Sequence, residues 1–193
     1  MSAGEPVQVD GVVRCGWAGS SPDYVTYHDT EWGRPLRGDR QMFERVSLEA
    51  FQSGLSWITI LRKREAFRKA FCGFDPVAVA RFGDADVHRL LSDRGIVRNR
   101  AKIEATIANA RAVLDLEGSF SDWLWSFAPD PAERPAPVGP EDVPATSPES
   151  VAMAKALKRR GFRFVGPTTA YALMQATGMV NDHLAGCFVR ERR

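Results

Sequence analysis

Apolar residues recur at helical spacing along most of this chain. After Asp39 they fall at Phe43, Val46 and Ala50, positions i, i+3 and i+7, and Gly54 ends the series, as in a helix with one buried face. A second helix is predicted from Ser56 through Trp57, Ile60, Leu61, Phe67 and Phe71 to Gly73. Asp75-Pro76 gives the next helix a cap and a first-turn proline, and Asp84 caps another ahead of Val87, Leu90 and Leu91. From Ala101 to Leu116 the residues Ile103, Ile107, Ala110, Val113 and Leu114 make one stripe. Ser147-Pro148 opens a further helix that carries Val151, Ala154 and Leu157 to Gly161. No alternating run between hairpin turns stands out, so the expected class is all-α.

Two stretches break the periodicity. Residues 1–12 lack it and read as a loose tail ahead of a single domain over 13–193. Seven prolines between Pro129 and Pro148 rule out a continuous helix and predict an extended surface loop over 129–148. At 193 residues the chain can bury a core without staples. No apolar run is long enough for a bilayer and no stretch after Met1 resembles a signal peptide, so a soluble, cytoplasmic monomer without membrane contact is expected.

Charge alone says little, because the net value is only +2. Its distribution says more. Arg62, Lys63, Arg64, Arg68 and Lys69 form one cluster, Arg98, Arg100 and Lys102 a second, and Lys158, Arg159, Arg160 and Arg163 a third. Each reads singly as a solvated helix face; together they suggest a phosphate-binding surface. The third precedes Gly161-Phe162-Arg163-Phe164-Val165-Gly166-Pro167, a helix, a short turn and a second helix opening at Pro167. Such a turn aims backbone N–H groups at a phosphate, or it simply joins two helices of a bundle.

Three cysteines are an odd number, more consistent with reduced or metal-bound thiols than with pairing. Cys15 with His28 near one end and His183 with Cys187 near the other supply two thiolates and two imidazoles. That set suits Zn²⁺ with no open position. Small hydrophobes or a disulfide at the cysteines, with ordinary core histidines, is the competing reading. Around His28 lie Trp17, Tyr24, Tyr27 and Trp32, and Trp57 follows the Gly54 turn. Trp32 reads as core; Trp17, Tyr27 and Trp57 have the flat faces that sandwich an extruded base. Glu49 interrupts an apolar helix face, where a carboxylate is costly unless paired or functional.

Arg14-Cys15-Gly16-Trp17, Asp23-Tyr24 to Tyr27-His28-Asp29, Glu31-Trp32-Gly33, Leu48-Glu49, Gly54 to Thr59, Gly161 to Thr169, and Asn181-Asp182-His183 with Cys187 together resemble the 3-methyladenine DNA glycosylase I family. The resemblance spans about Arg14 to Phe188. It implies a helix-hairpin-helix glycosylase fold with a structural zinc joining the N- and C-terminal segments, ligated by Cys15, His28, His183 and Cys187. It also implies base recognition by Glu49 and Tyr27, with stacking by Trp57 and Trp17 and Tyr24 beside them. The expected activity is monofunctional hydrolysis of the N-glycosidic bond in alkylated double-stranded DNA, releasing free 3-methyladenine. DNA contacts are expected from Phe164, Val165 and Gly166 of the turn, from Lys158 and Arg163, and from Leu55 as a wedge. Asp182 stands where related glycosylases carry a catalytic Asp, but beside His183 its expected role is to orient that ligand. A DNA-binding module without activity, or a catalytic metal, would use the same metal set; the first leaves Glu49 and the aromatics without a task.

Overall fold

The computed structural model describes residues 5–191. Its helices run α1 (Pro22–Thr30), α2 (Asp39–Gln52), α3 (Trp57–Ala70), α4 (Pro76–Ala80), α5 (Asp84–Ser92), α6 (Arg100–Leu114), α7 (Phe120–Trp125), α8 (Pro148–Arg159), α9 (Pro167–Ala176) and α10 (Phe188–Glu191). Local chemistry explains most of the boundaries. The side chains of Asp75, Asn99 and Ser147 accept the backbone N–H of Val77, Lys102 and Ser150, closing helix starts where free amides would otherwise point outward. Asp84 is the exception. Gly83 is the cap there, and the Asp86 carboxylate accepts its N–H at 3.2 Å.

One hydrophobic cluster runs from Cys15 to Val189. Helix α2 lies at its centre, against α3, α6, α7 and α9, while α8 packs on α9 and α4 on α6. The buried rings of Phe51, Phe67, Phe71 and Phe74 succeed one another at 4.6–6.2 Å centroid spacing. None of the described helices is long and apolar enough to cross a membrane.

The expected helical class holds, with one small addition: β1 (Val7–Val9) pairs antiparallel with β2 (Val12–Arg14). The segment read as a loose tail therefore carries a strand among its described residues, 5–12. Asp10 and Gly11 turn the hairpin at φ 52° and 75°, the left-handed pair that an Asp-Gly dipeptide between valines supplies. The proline-rich loop also has internal order. It holds two single 3-10 turns, Pro131–Glu133 and Pro140–Asp142, and the Pro137 carbonyl accepts the Ala185 N–H at 2.7 Å.

Candidate active site

Cys15, on the way into the first turn, meets His28 in the last turn of α1 and His183 and Cys187 ahead of α10. All four are buried, and their ligand atoms lie within 4.8 Å of one another. His183 Nδ1 is 3.2 Å from His28 Nε2, 3.6 Å from Cys187 Sγ and 3.7 Å from Cys15 Sγ, and Cys187 Sγ is 3.4 Å from His28 Nε2. Ligands at zinc-like bond lengths on a tetrahedron would stand about 3.3–3.8 Å apart. The protonation pattern agrees. His183 Nε2 faces the Trp32 carbonyl at 3.1 Å and His28 Nδ1 faces an Asp29 carboxylate oxygen at 2.8 Å. Both partners only accept, so each imidazole spends its N–H there and turns a lone pair toward the other ring. Burial lowers the pKa of His183, which favours its neutral form. A hydrogen bond to Cys187 raises the pKa of Cys15, and the same bond lowers that of Cys187. Two imidazole nitrogens and two cysteine sulfurs facing one another are a donor set that fits a metal cation.

The groups that orient the ligands are Asp29 and the Trp32 carbonyl. Arg14 grips Asp29 through Nε and Nη2 at 2.8–3.1 Å. Gly33 follows Trp32 at φ 75°, and a Cβ there would come within 2.8 Å of His183 Nε2. Asp182, expected to orient His183, instead accepts Tyr171 Oη at 2.6 Å, Gln175 Nε2 at 3.0 Å and Arg134 Nη2 at 3.0 Å.

Beside this cluster lies a second feature. Tyr27 of α1, Glu49 and Gln52 of α2, Trp57 at the head of α3, Ala172, Gln175 and Ala176 of α9, and Trp32 line a cavity of about 30 Å³. Glu49, Gln52 and Ala172 also line a wider cleft of about 490 Å³, whose rim is the Ser53 to Ser56 turn on one side and Thr168 and Thr169 on the other. Glu49 is only 4 % exposed, and none of the described residues gives its carboxylate a hydrogen bond. Burial pushes its pKa up to about 7, with the Arg45 guanidinium pulling the other way. The Trp57 indole N–H is buried without a partner as well. Arg45 donates to Tyr27 Oη at 3.2 Å, so the phenol hydrogen remains free to donate. Burial holds that phenol protonated, far above the usual range.

The structure thus brings Tyr27, Glu49 and Trp57 together, and adds Trp32, which the sequence pattern places in the core. Trp17 and Tyr24 do not line the cavity. Trp17 packs edge-on against Trp32, His28 and Tyr24 at 5.1–5.5 Å, and Tyr24 Oη accepts the Ile58 N–H at 2.9 Å near the start of α3. Arg45 and Gln175 join the site without having stood out in the sequence. Arg45, four residues before Glu49 on the same helix face, was the readable signal.

The other candidate face joins two turns. Leu55, 41 % exposed, projects from the turn after α2, where Gly54 has φ 79°. Phe164, equally exposed, caps the turn before α9 with φ 57°, whereas Val165 is buried. Lys158, Arg159, Arg160 and Arg163 are exposed and make no ion pair among the described residues. Four of the five residues of the first basic cluster are already engaged: Arg62 pairs with Asp23, Arg64 with Glu31 and Arg68 with Glu44, while Lys63 binds backbone carbonyls. In the second, Arg100 pairs with Glu104. Two side chains of α6 hold the turns. Lys102 Nζ donates to the Phe51 and Ser53 carbonyls at 2.8 and 2.5 Å. Asn109 gives Nδ2 to the Arg163 carbonyl at 3.1 Å and accepts the Arg163 N–H at 2.8 Å.

Comparison with known proteins gives the arrangement its relatives. The methyladenine glycosylase family model matches residues 17–191. A DNA-3-methyladenine glycosylase 1 of Escherichia coli K12 is 48% identical over 177 residues, covering 90% of this chain and 95% of that protein. A DNA-3-methyladenine glycosylase of Haemophilus influenzae Rd is 45% identical, covering 90% and 96%. Among solved structures, a crystal structure of a 3-methyladenine DNA glycosylase I superposes with TM-score 0.85 at 49% identity, over 91% of this chain and 98% of the other. The Staphylococcus aureus 3-methyladenine DNA glycosylase I, described for its recognition of 3-methyladenine, gives TM-score 0.85 at 35% identity over 91% and 95%. This chain belongs to the methyladenine glycosylase family.

Proposed function

We propose that this protein excises 3-methyladenine from alkylated double-stranded DNA by hydrolysing the N-glycosidic bond of an extruded nucleotide. The observation that carries the reading is the buried Glu49 carboxylate, which none of the described residues hydrogen-bonds, among Tyr27, Trp32 and Trp57 at the foot of the cleft beneath Leu55 and the start of α9. Methylation at N3 leaves adenine cationic in DNA. A carboxylate held out of water favours that cation over neutral adenine, because opposite charges attract more strongly where water is excluded. Glu49 accepts from the exocyclic amine, Tyr27 donates its free hydrogen to a ring nitrogen, and Trp57 stacks.

When the bond between C1′ and the base breaks, its electron pair neutralises the departing base, so no strong general acid is required. Water adds to C1′ and loses a proton to solvent. Asp182 is committed to Tyr171, Gln175 and Arg134, and no lysine lies in the turn before α9. The second fact supports hydrolysis by water over Schiff-base chemistry. The hairpin amides around Phe164 to Gly166, with Lys158 and Arg163, bind phosphate, and Leu55 wedges into the gap left in the duplex.

The metal in this reading is one structural Zn²⁺ per chain. Two thiolates and two imidazoles leave no ligand position open for chemistry. A single domain acting as a cytoplasmic monomer belongs to the same proposal. Purified protein incubated with methylated duplex DNA should release free 3-methyladenine; no release would overturn the reading.

A further inference from the structure

We infer that Gln175 is a second specificity element of the base pocket, an acceptor locked in place by Asp182; the inference rests on the proposed function above. Gln175 lines the cavity alongside Glu49, from the opposite helix. Its Nε2 donates to Asp182 Oδ2 at 3.0 Å. A carboxylate oxygen only accepts, so the amide cannot reverse without setting oxygen against oxygen. Its NH₂ end is thereby tied to Asp182 and its carbonyl Oε1 is left for the cavity.

The lock is itself held. Asp182 is 5 % exposed and also takes Tyr171 Oη at 2.6 Å on the same oxygen and Arg134 Nη2 at 3.0 Å on the other. Arg134 donates to Tyr171 Oη at 2.7 Å as well. Tyr171 and Gln175, four residues apart on α9, thus present one face to one carboxylate. Asp182 acts through Gln175, so it is a positioning residue.

The consequence is a choice of base. The exocyclic amine of 3-methyladenine has two hydrogens, and with Glu49 accepting one, Gln175 Oε1 is the acceptor available to the other. 3-Methylguanine carries a carbonyl oxygen at that place, which would set a third acceptor against the two that hold the amine hydrogens. An amide free to turn would offer its NH₂ and admit that oxygen.

The test measures release of 3-methyladenine and 3-methylguanine from the same methylated duplex by wild type, Gln175→Met and Asp182→Asn, with bound metal determined for each. Gln175→Met keeps the shape and removes the acceptor, so 3-methyladenine release should fall about tenfold while 3-methylguanine release does not fall. In Asp182→Asn the amide is unlocked and 3-methylguanine release should rise relative to 3-methyladenine. An unchanged ratio in Gln175→Met, with wild type active, overturns the inference and leaves the proposed function standing. A wild type that releases neither base overturns both. Should Asp182→Asn lose its metal, Gln175→Met decides alone.

Discussion

Glu49 is held where its charge is expensive, and that expense has a measurable sign. Its folded pKa of about 7 lies above the ordinary 4.5. The group therefore favours folding below about pH 4.5 and loses that contribution as pH rises through 7. Glu49→Gln should accordingly melt higher than wild type at about pH 8, by roughly 1–3 kcal/mol, with no gain near pH 4. Function should move the other way. The same variant should lose about 1.5–3 kcal/mol in excision and in affinity for free 3-methyladenine, the worth of a charged hydrogen bond. For the same reason, excision by wild type should decline as pH falls through 7, where the carboxylate gains its proton; a flat profile between about pH 6 and 8 would place recognition elsewhere. Trp57→Ala should cost about 1–3 kcal/mol in base affinity through weaker stacking. At this scale Glu49, Tyr27 and Trp57 were legible in the sequence, because a carboxylate in an apolar stripe and rings near a turn are anomalies. Trp17 and Trp32 were not separable. Both are buried tryptophans beside His28, and only the meeting of α1 with α9 decides which one faces the cavity.

Helix starts were the most readable elements where, as at Asp75 and Ser147, the cap acts through its own neighbours. The β-hairpin escaped despite Asp10-Gly11 between valines, because its strands are only three residues long and show little alternation. Helix α1 escaped because aromatic and polar residues share its faces. The turn before α9 was legible as a junction of two helices, whereas its anchor was not: Asn109 lies 54 residues from Arg163. Removing charge at Lys158, Arg159, Arg160 and Arg163 together should weaken DNA binding and flatten its dependence on salt, by about 0.9 in log–log slope for each phosphate no longer neutralised. Free 3-methyladenine should bind such a protein as before. Equal weakening in both assays would mean that the turn supports the pocket rather than the DNA.

At the scale of the molecule, the cluster of Cys15, His28, His183 and Cys187 draws the first and last parts of the chain together. Cys187→Ala should abolish stoichiometric metal binding, read by elemental analysis, and lower the melting temperature. A variant as stable as wild type without metal would show that the cluster is ordinary core. The pairing of chain ends was legible as spacing, but its orienting groups were not. Asp29 and the Trp32 carbonyl become partners only once α1 packs against the segment carrying His183. Tyr27 and His28 are consecutive residues of that nine-residue helix, one lining the base cavity and the other facing the metal cluster. Stripping the metal would release the helix that aims the phenol, and catalysis would stop although no metal ever touched the base. Chelation is thus a blind instrument for telling a spectator ion from a reagent in this enzyme. Exchange is the discerning one: with Co²⁺ or Cd²⁺ in the same four-ligand cage, a purely architectural ion predicts nearly constant turnover, whereas a reactive one would impose its own acidity on the rate.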